Sequence, residues 1–177
     1  LHVTDSYILN TIDKALDKGL IFVLVTGRSM QSDTIGLKFG ERPLYVISNN
    51  GALIKDTNQT ILKTKSLPHA FIVDTLNKFP NLPMDFMSTN QTWVNADKKS
   101  YLKTFSVGKH LIHRMVLRIV NGFFKGKKFN ATPEEILNQD IIKMNLRIPN
   151  PQTNALFLEH LKNHPEVVNL PFAEGIF

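Results

Sequence analysis

Apolar and polar positions alternate in two different ways along this chain. Over residues 4–18, Ile8, Ile12, Ala15 and Leu16 fall on one face at helical spacing. Thr4 or Ser6 can cap the start of that helix, and Gly19 suits its stop. Residues 20–25 form a continuous apolar run rich in branched side chains, which predicts a strand covered on both faces, as in a parallel sheet. Thr26-Gly27-Arg28-Ser29 turns the chain, residues 30–39 read as a second helix closed by Gly40, and residues 44–48 repeat the short buried strand. Asn49-Asn50-Gly51 is a turn signal, because Asn and Gly tolerate positive φ. Residues 52–54 and 60–65 read as strands joined across residues 56–59, a hairpin.

The pattern then changes. Residues 69–79 read as a helix with Phe71, Ile72, Leu76 and Phe79 on one side, and Pro80 and Pro83 interrupt the chain. Short strands follow at 84–87 and 91–94. Residues 111–120 fit either a helix or a strand. Residues 133–138 make a short helix with Thr132 as N-cap and Glu134 and Glu135 near the positive end of its dipole. A strand at 141–149, a helix at 153–163 and a strand region from Val167 complete the order. Helix and strand alternating with short connections predict a layered α/β first part, and the second part reads as α+β. The boundary falls within residues 55–66, placed here between residues 58 and 59.

Composition narrows the chemistry. With 42% hydrophobic and 20% charged residues the chain can bury a core, so global disorder is excluded. There is no cysteine among the 177 residues, which rules out disulfides, zinc–thiolate sites and a thiol nucleophile. The longest apolar run, residues 20–25, is far short of the roughly 20 residues that span a bilayer. No basic stretch precedes an apolar one at the start, so a cytoplasmic protein is expected and the Asn-x-Thr triplets at Asn58, Asn90 and Asn130 read as chance. Charge is uneven. Residues 98–128 hold nine Lys or Arg and no acid, so that window carries +9 against a total of +6 and the remainder sums to −3. A concentrated positive field favours an anionic partner.

Two motifs carry candidate chemistry. Thr26-Gly27-Arg28 closes one buried strand and Asn49-Asn50-Gly51 closes the next. Ligands in open α/β sheets bind at the carboxyl ends of strands, so both should face one crevice. A Thr hydroxyl and neighbouring backbone N–H groups can bond phosphate oxygens, Gly27 lets the backbone approach, and Arg28 adds a charge-assisted contact. Asn49 and Asn50 can orient a polar ligand, with Gly51 turning the chain out of the sheet. The same residues also make an ordinary strand-to-helix turn with a capping hydroxyl, and an ordinary Asn-Gly turn.

Taken together, a strand ending in Thr26-Gly27-Arg28, a helix, and a strand ending in Asn49-Asn50-Gly51-Ala52-Leu53-Ile54 resemble the haloacid dehalogenase-like hydrolases, specifically the Cof-type phosphatases. Residues 142–146 ahead of a helix are similar to that family's cap. The resemblance implies a partial Rossmann-like core, a parallel sheet with helices, over residues 1–58, and an inserted α+β cap domain over 59–177. It implies magnesium-dependent hydrolysis of small phosphorylated metabolites, such as sugar phosphates, through an aspartyl-phosphate. Thr26 matches the phosphoryl-binding hydroxyl, and Gly27, Arg28, Asn49, Asn50 and Gly51 match residues around the substrate.

The chain departs from the pattern where the chemistry is heaviest. Its nine Asp residues, at 5, 13, 17, 33, 56, 74, 85, 97 and 140, include no Asp-x-Asp pair. The family's nucleophile and acid/base are therefore expected before Leu1, and its Lys and acidic metal loop after Phe177. No residue of this chain is assigned to metal. Phosphoryl transfer rests on positioning and neutralisation of the phosphoryl oxygens, which one Thr and backbone donors do not supply, so the 177-residue chain alone is expected to be inactive. A sheet lacking a central strand also predicts poor solubility or oligomerisation. The alternatives are a non-catalytic phosphate-ligand binder and, more remotely, a basic nucleic-acid-binding protein using residues 98–128 with Tyr101, Phe105, Phe123, Phe124 and Phe129. His160 and His164, one helical turn apart, are a bare metal-ligand spacing without a ligand-rich partner motif.

Overall fold

The computed structural model describes residues 5–29, 38–104 and 126–170. The chain divides into two compact units, Leu1–Ser66 and Leu67–Phe177. Among the described residues, no helix is long and apolar enough to cross a membrane.

In the first unit, helix α1 spans Ser6–Leu16. Its cap is Asp5, whose Oδ1 accepts from the Tyr7 N–H at 2.8 Å, and not Thr4 or Ser6. A carboxylate outperforms a hydroxyl here because it adds charge at the positive end of the helix dipole. Ile12 is the buried anchor of α1, whereas Ile8, expected on the same face, is exposed. Strands β1 (Phe22–Val25), β2 (Leu44–Ser48), β3 (Leu53–Lys55) and β4 (Ile61–Thr64) form one sheet in that order. β1 and β2 are parallel, with Val25 opposite Ile47. β3 and β4 continue antiparallel, and β4 therefore belongs to this sheet, so the division between units falls beyond it. Asp56 closes the β3–β4 hairpin by accepting from the N–H groups of Asn58 and Thr60 at 2.9 and 2.8 Å.

The expected burial of residues 20–25 on both faces does not hold. Leu20 and Ile21 precede the strand and are exposed, and Val23 and Val25 are 47% and 69% exposed. Among the described residues β1 has one hydrogen-bonded neighbour, β2, and is an edge strand. β2 lies inside the sheet, where Leu44, Val46 and Ser48 are buried, and Val46 packs against Leu24 and Phe39. Of the helix expected at 30–39, residues 38–39 are helical and 30–37 lie outside the described residues.

The second unit is built on a four-stranded sheet in the order β7 (Lys127–Lys128), β6 (Thr92–Val94), β5 (Met84–Met87), β8 (Lys143–Leu146). Its helices are α2 (His69–Lys78), α3 (Lys98–Lys103), α4 (Pro133–Leu137) and α5 (Pro151–Lys162). Thr132 caps α4 as expected, and Glu135 reaches back to the Thr132 N–H at 2.9 Å, completing a capping box. Met84, Phe86, Phe71, Ile72, Leu76 and Ile136 form the core. Val167–Leu170 is irregular, not a strand, and residues 105–125 and 171–177, including the ambiguous stretch 111–120, lie outside the described residues.

Candidate active site

The parallel pairing of β1 and β2 ends both strands at the same rim. The Thr26 N–H donates to the Ile47 carbonyl at 2.9 Å, extending the ladder one residue past β1. The Asn49 N–H then donates to the Arg28 carbonyl at 3.2 Å, joining the two turns directly. An alanine Cβ at Gly27 would stand 2.3 Å from Asn50 Oδ1, so the second turn lies against the first.

The turn after β2 is built from three residues in the left-handed region: Asn49 (φ 52), Asn50 (φ 59) and Gly51 (φ 90). The Ala52 N–H closes it onto the Asn49 carbonyl at 3.3 Å. Asn-Gly at the two central positions is the pairing that a right-handed sheet twist selects, and it redirects the chain into antiparallel β3.

All six residues singled out from the sequence, Thr26, Gly27, Arg28, Asn49, Asn50 and Gly51, therefore meet at one rim. Their exposures differ. Gly27, Arg28, Asn50 and Gly51 are exposed, Thr26 is half-buried and Asn49 is buried. Thr26 Oγ1 accepts from the Arg28 N–H at 3.2 Å, which orients the hydroxyl and leaves its own hydrogen to donate elsewhere. Two buried oxygens at the end of β2, Ser48 Oγ and Asn49 Oδ1, have no hydrogen-bond partner among the described residues. A buried polar atom without a partner costs stability and commonly marks a place where a ligand or water completes the set. Ser48 was not distinguished from the rest of its strand in the sequence; its signal was a hydroxyl at the carboxyl end of an otherwise apolar run.

The rim offers hydroxyls, amides and backbone N–H groups but no carboxylate. Magnesium takes hard, mostly anionic oxygen ligands. The residues at this rim do not fit that ion, and no group of three His, Asp or Glu among the described residues could hold a metal. His160 and His164, with ring centroids 4.9 Å apart, do not converge on a metal site. His160 is buried, bonded through Nε2 to Thr75 Oγ1 at 2.9 Å and stacked on Phe71.

The haloacid dehalogenase-like hydrolase family model matches residues 2–171. Solved structures with the same fold include a haloacid dehalogenase-like hydrolase from B. subtilis, 15% identical, covering 91% of this chain and 61% of that one at a TM-score of 0.61. A protein from Thermotoga maritima is 17% identical over 97% of this chain and 60% of that one, with a TM-score of 0.66. A subclass IIB sugar phosphatase is 18% identical over 81% of this chain and 51% of that one, at 0.52. The chain thus spans between half and about three-fifths of the length of these structures. No curated protein matches it. The mixed sheet, the paired strand ends and a family match running over nearly the whole sequence agree, and the chain belongs to the haloacid dehalogenase-like hydrolases.

Proposed function

We propose that this chain carries the phosphoryl-binding rim of a cytoplasmic phosphatase acting on small phosphorylated metabolites. The observation that carries the reading is the joining of the two strand ends, with Asn49 N–H on the Arg28 carbonyl and Asn50 against Gly27. Thr26 donates its hydroxyl hydrogen to a phosphoryl oxygen, the backbone of Gly27 and Arg28 flanks it, and Asn49, Asn50 and Gly51 line the approach. The orphaned Ser48 hydroxyl beside them supports a ligand that brings acceptor oxygens. The sugar phosphatase among the similar folds is consistent with a phosphate-ester substrate.

The second unit, with Leu67 onward, is read as the family's cap. The nucleophilic Asp and the magnesium ligands are not among this chain's Asp residues in an Asp-x-Asp pair, so the 177 residues bind without turnover. The same absence favours the second reading, a phosphate-ligand binder that never hydrolyses. The test is hydrolysis of p-nitrophenyl phosphate with magnesium, alongside equilibrium binding of inorganic phosphate. No turnover is expected, with saturable phosphate binding weakened about 10-fold or more in Thr26→Val, the loss of one hydrogen bond to a charged group. Magnesium-dependent turnover that survives repurification and vanishes in Thr26→Val would overturn the inactive reading. Phosphate binding untouched by that substitution would overturn the site.

A further inference from the structure

Among the described residues the first sheet ends on one side in β1 and on the other in β4. The two edges differ in chemistry. The β4 edge, Ile61–Thr64, carries Lys63, with Lys65 just after it. Charged side chains on an edge disfavour pairing with another strand. The β1 edge carries none. Leu20-Ile21-Phe22-Val23-Leu24-Val25 is uncharged and free of Pro and Gly, and a run of that kind is a template for a further strand.

Backbone direction fixes which residues of β1 are offered. The Thr26 N–H donates to the Ile47 carbonyl in the parallel ladder, with Val25 standing opposite Ile47. Backbone groups alternate in direction along a strand. Leu24 and Phe22 therefore also turn theirs toward β2, and Ile21, Val23 and Val25 turn their N–H and C=O groups outward. The side chains of the same three residues share one face and are 75%, 47% and 69% exposed. Outward backbone groups and uncovered apolar side chains thus coincide on one edge.

From this coincidence we infer that β1 pairs with the β1 of a second copy of this chain, antiparallel about a two-fold axis at Val23. In that register Ile21 faces the partner's Val25, Phe22 faces the partner's Leu24, and Val23 faces the partner's Val23. Outward N–H groups then meet outward carbonyls, and the opposed side chains on the exposed face are all β-branched. Both copies use the same patch, so the contact closes on itself at two chains. Self-complementarity is what selects a second copy. The same operation on β4, centred on Lys63, would set two ammonium groups opposite each other. One short strand is a small contact, so the association is weak and depends on concentration. The inference does not depend on the phosphoryl reading of the rim.

The chain has no cysteine, so a single introduced thiol reports the contact. Antiparallel residues that exchange both hydrogen bonds have Cα atoms about 5.5 Å apart, within disulfide reach. On mild oxidation Val23→Cys should cross-link into a dimer at least about 10-fold faster than Leu62→Cys, an exposed position on the β4 edge. Sedimentation velocity of the unmodified 177-residue chain over a range of concentrations should show monomer and dimer alone. Val23→Lys sets like charges on the axis and should weaken dimerisation about 10-fold or more. Circular dichroism checks each fold, and the cross-linking comparison decides if Val23→Lys unfolds. A chain that stays monomeric at every concentration, assemblies that grow past the dimer, or cross-linking as fast through Leu62→Cys would each overturn the pairing.

Discussion

Gly27 gives the sharpest handle on whether the two strand ends touch. An alanine Cβ there would lie 2.3 Å from Asn50 Oδ1 and 3.5 Å from its Cγ. A comfortable carbon–oxygen approach is about 3.3 Å, so the amide oxygen must retreat by about 1 Å. Overpacking of this kind costs about 1–3 kcal/mol, and the low end applies because Asn50 is exposed and its short side chain can rotate. Gly27→Ala is therefore expected to lose about 1 kcal/mol in the wild-type background. In Asn50→Ala the opposing oxygen is gone, and Gly27→Ala should cost little. Urea unfolding of the four proteins, followed by far-ultraviolet circular dichroism, gives an interaction energy of about 1 kcal/mol. A value within about 0.3 kcal/mol of zero would mean that the turns do not meet as described.

Three further outcomes follow from the second unit and the exposed edge. Asp85→Ala should destabilise by about 3–5 kcal/mol, because it leaves buried Lys127 without its carboxylate and the Tyr101 hydroxyl without its acceptor; thermal unfolding measures it, and a change below about 1 kcal/mol would contradict the network. His160 is held below the ordinary histidine range, first by burial and then by the charge of His164. The unfolded chain takes up that proton near pH 6.5 and the folded one only lower, so stability should be full above about pH 6.5 and fall as pH drops below it, a slope reduced in His160→Gln. Val25→Lys places a charge on the exposed edge strand and should raise the monomer fraction in sedimentation without changing the circular dichroism spectrum.

What the sequence revealed follows the strength of local signals. Residues 44–48 and 84–87 are short apolar runs bounded by turn or proline residues, and both are strands with those bounds. Thr132-x-x-Glu135 is a capping signature that needs no tertiary context. The start of α1 reads as capped by Thr4 or Ser6, and the residue between them, Asp5, makes the cap instead, because neighbouring residues of similar capping chemistry differ only in local geometry and charge. The exposure of Val23 and Val25 was illegible, since an apolar run reads alike whether a sheet covers both its faces or ends there. The six rim residues were legible because paired motifs at consecutive strand ends must share one rim in a parallel sheet. The Asp85 network was not, because its members lie at positions 85, 101, 127, 143 and 147 and only the register brings them together. Its one trace was an Asp between Met84 and Phe86 in a strand otherwise apolar.

The proposed function requires a phosphoryl group to settle at the carboxyl ends of β1 and β2. Titrating inorganic phosphate into the ¹⁵N-labelled chain and following backbone amide shifts reads that position directly. Saturable shifts at Thr26, Gly27, Arg28 and residues 49–51, lost together in Thr26→Val, are the expected result. Shifts confined to other residues, or none at all, would contradict it.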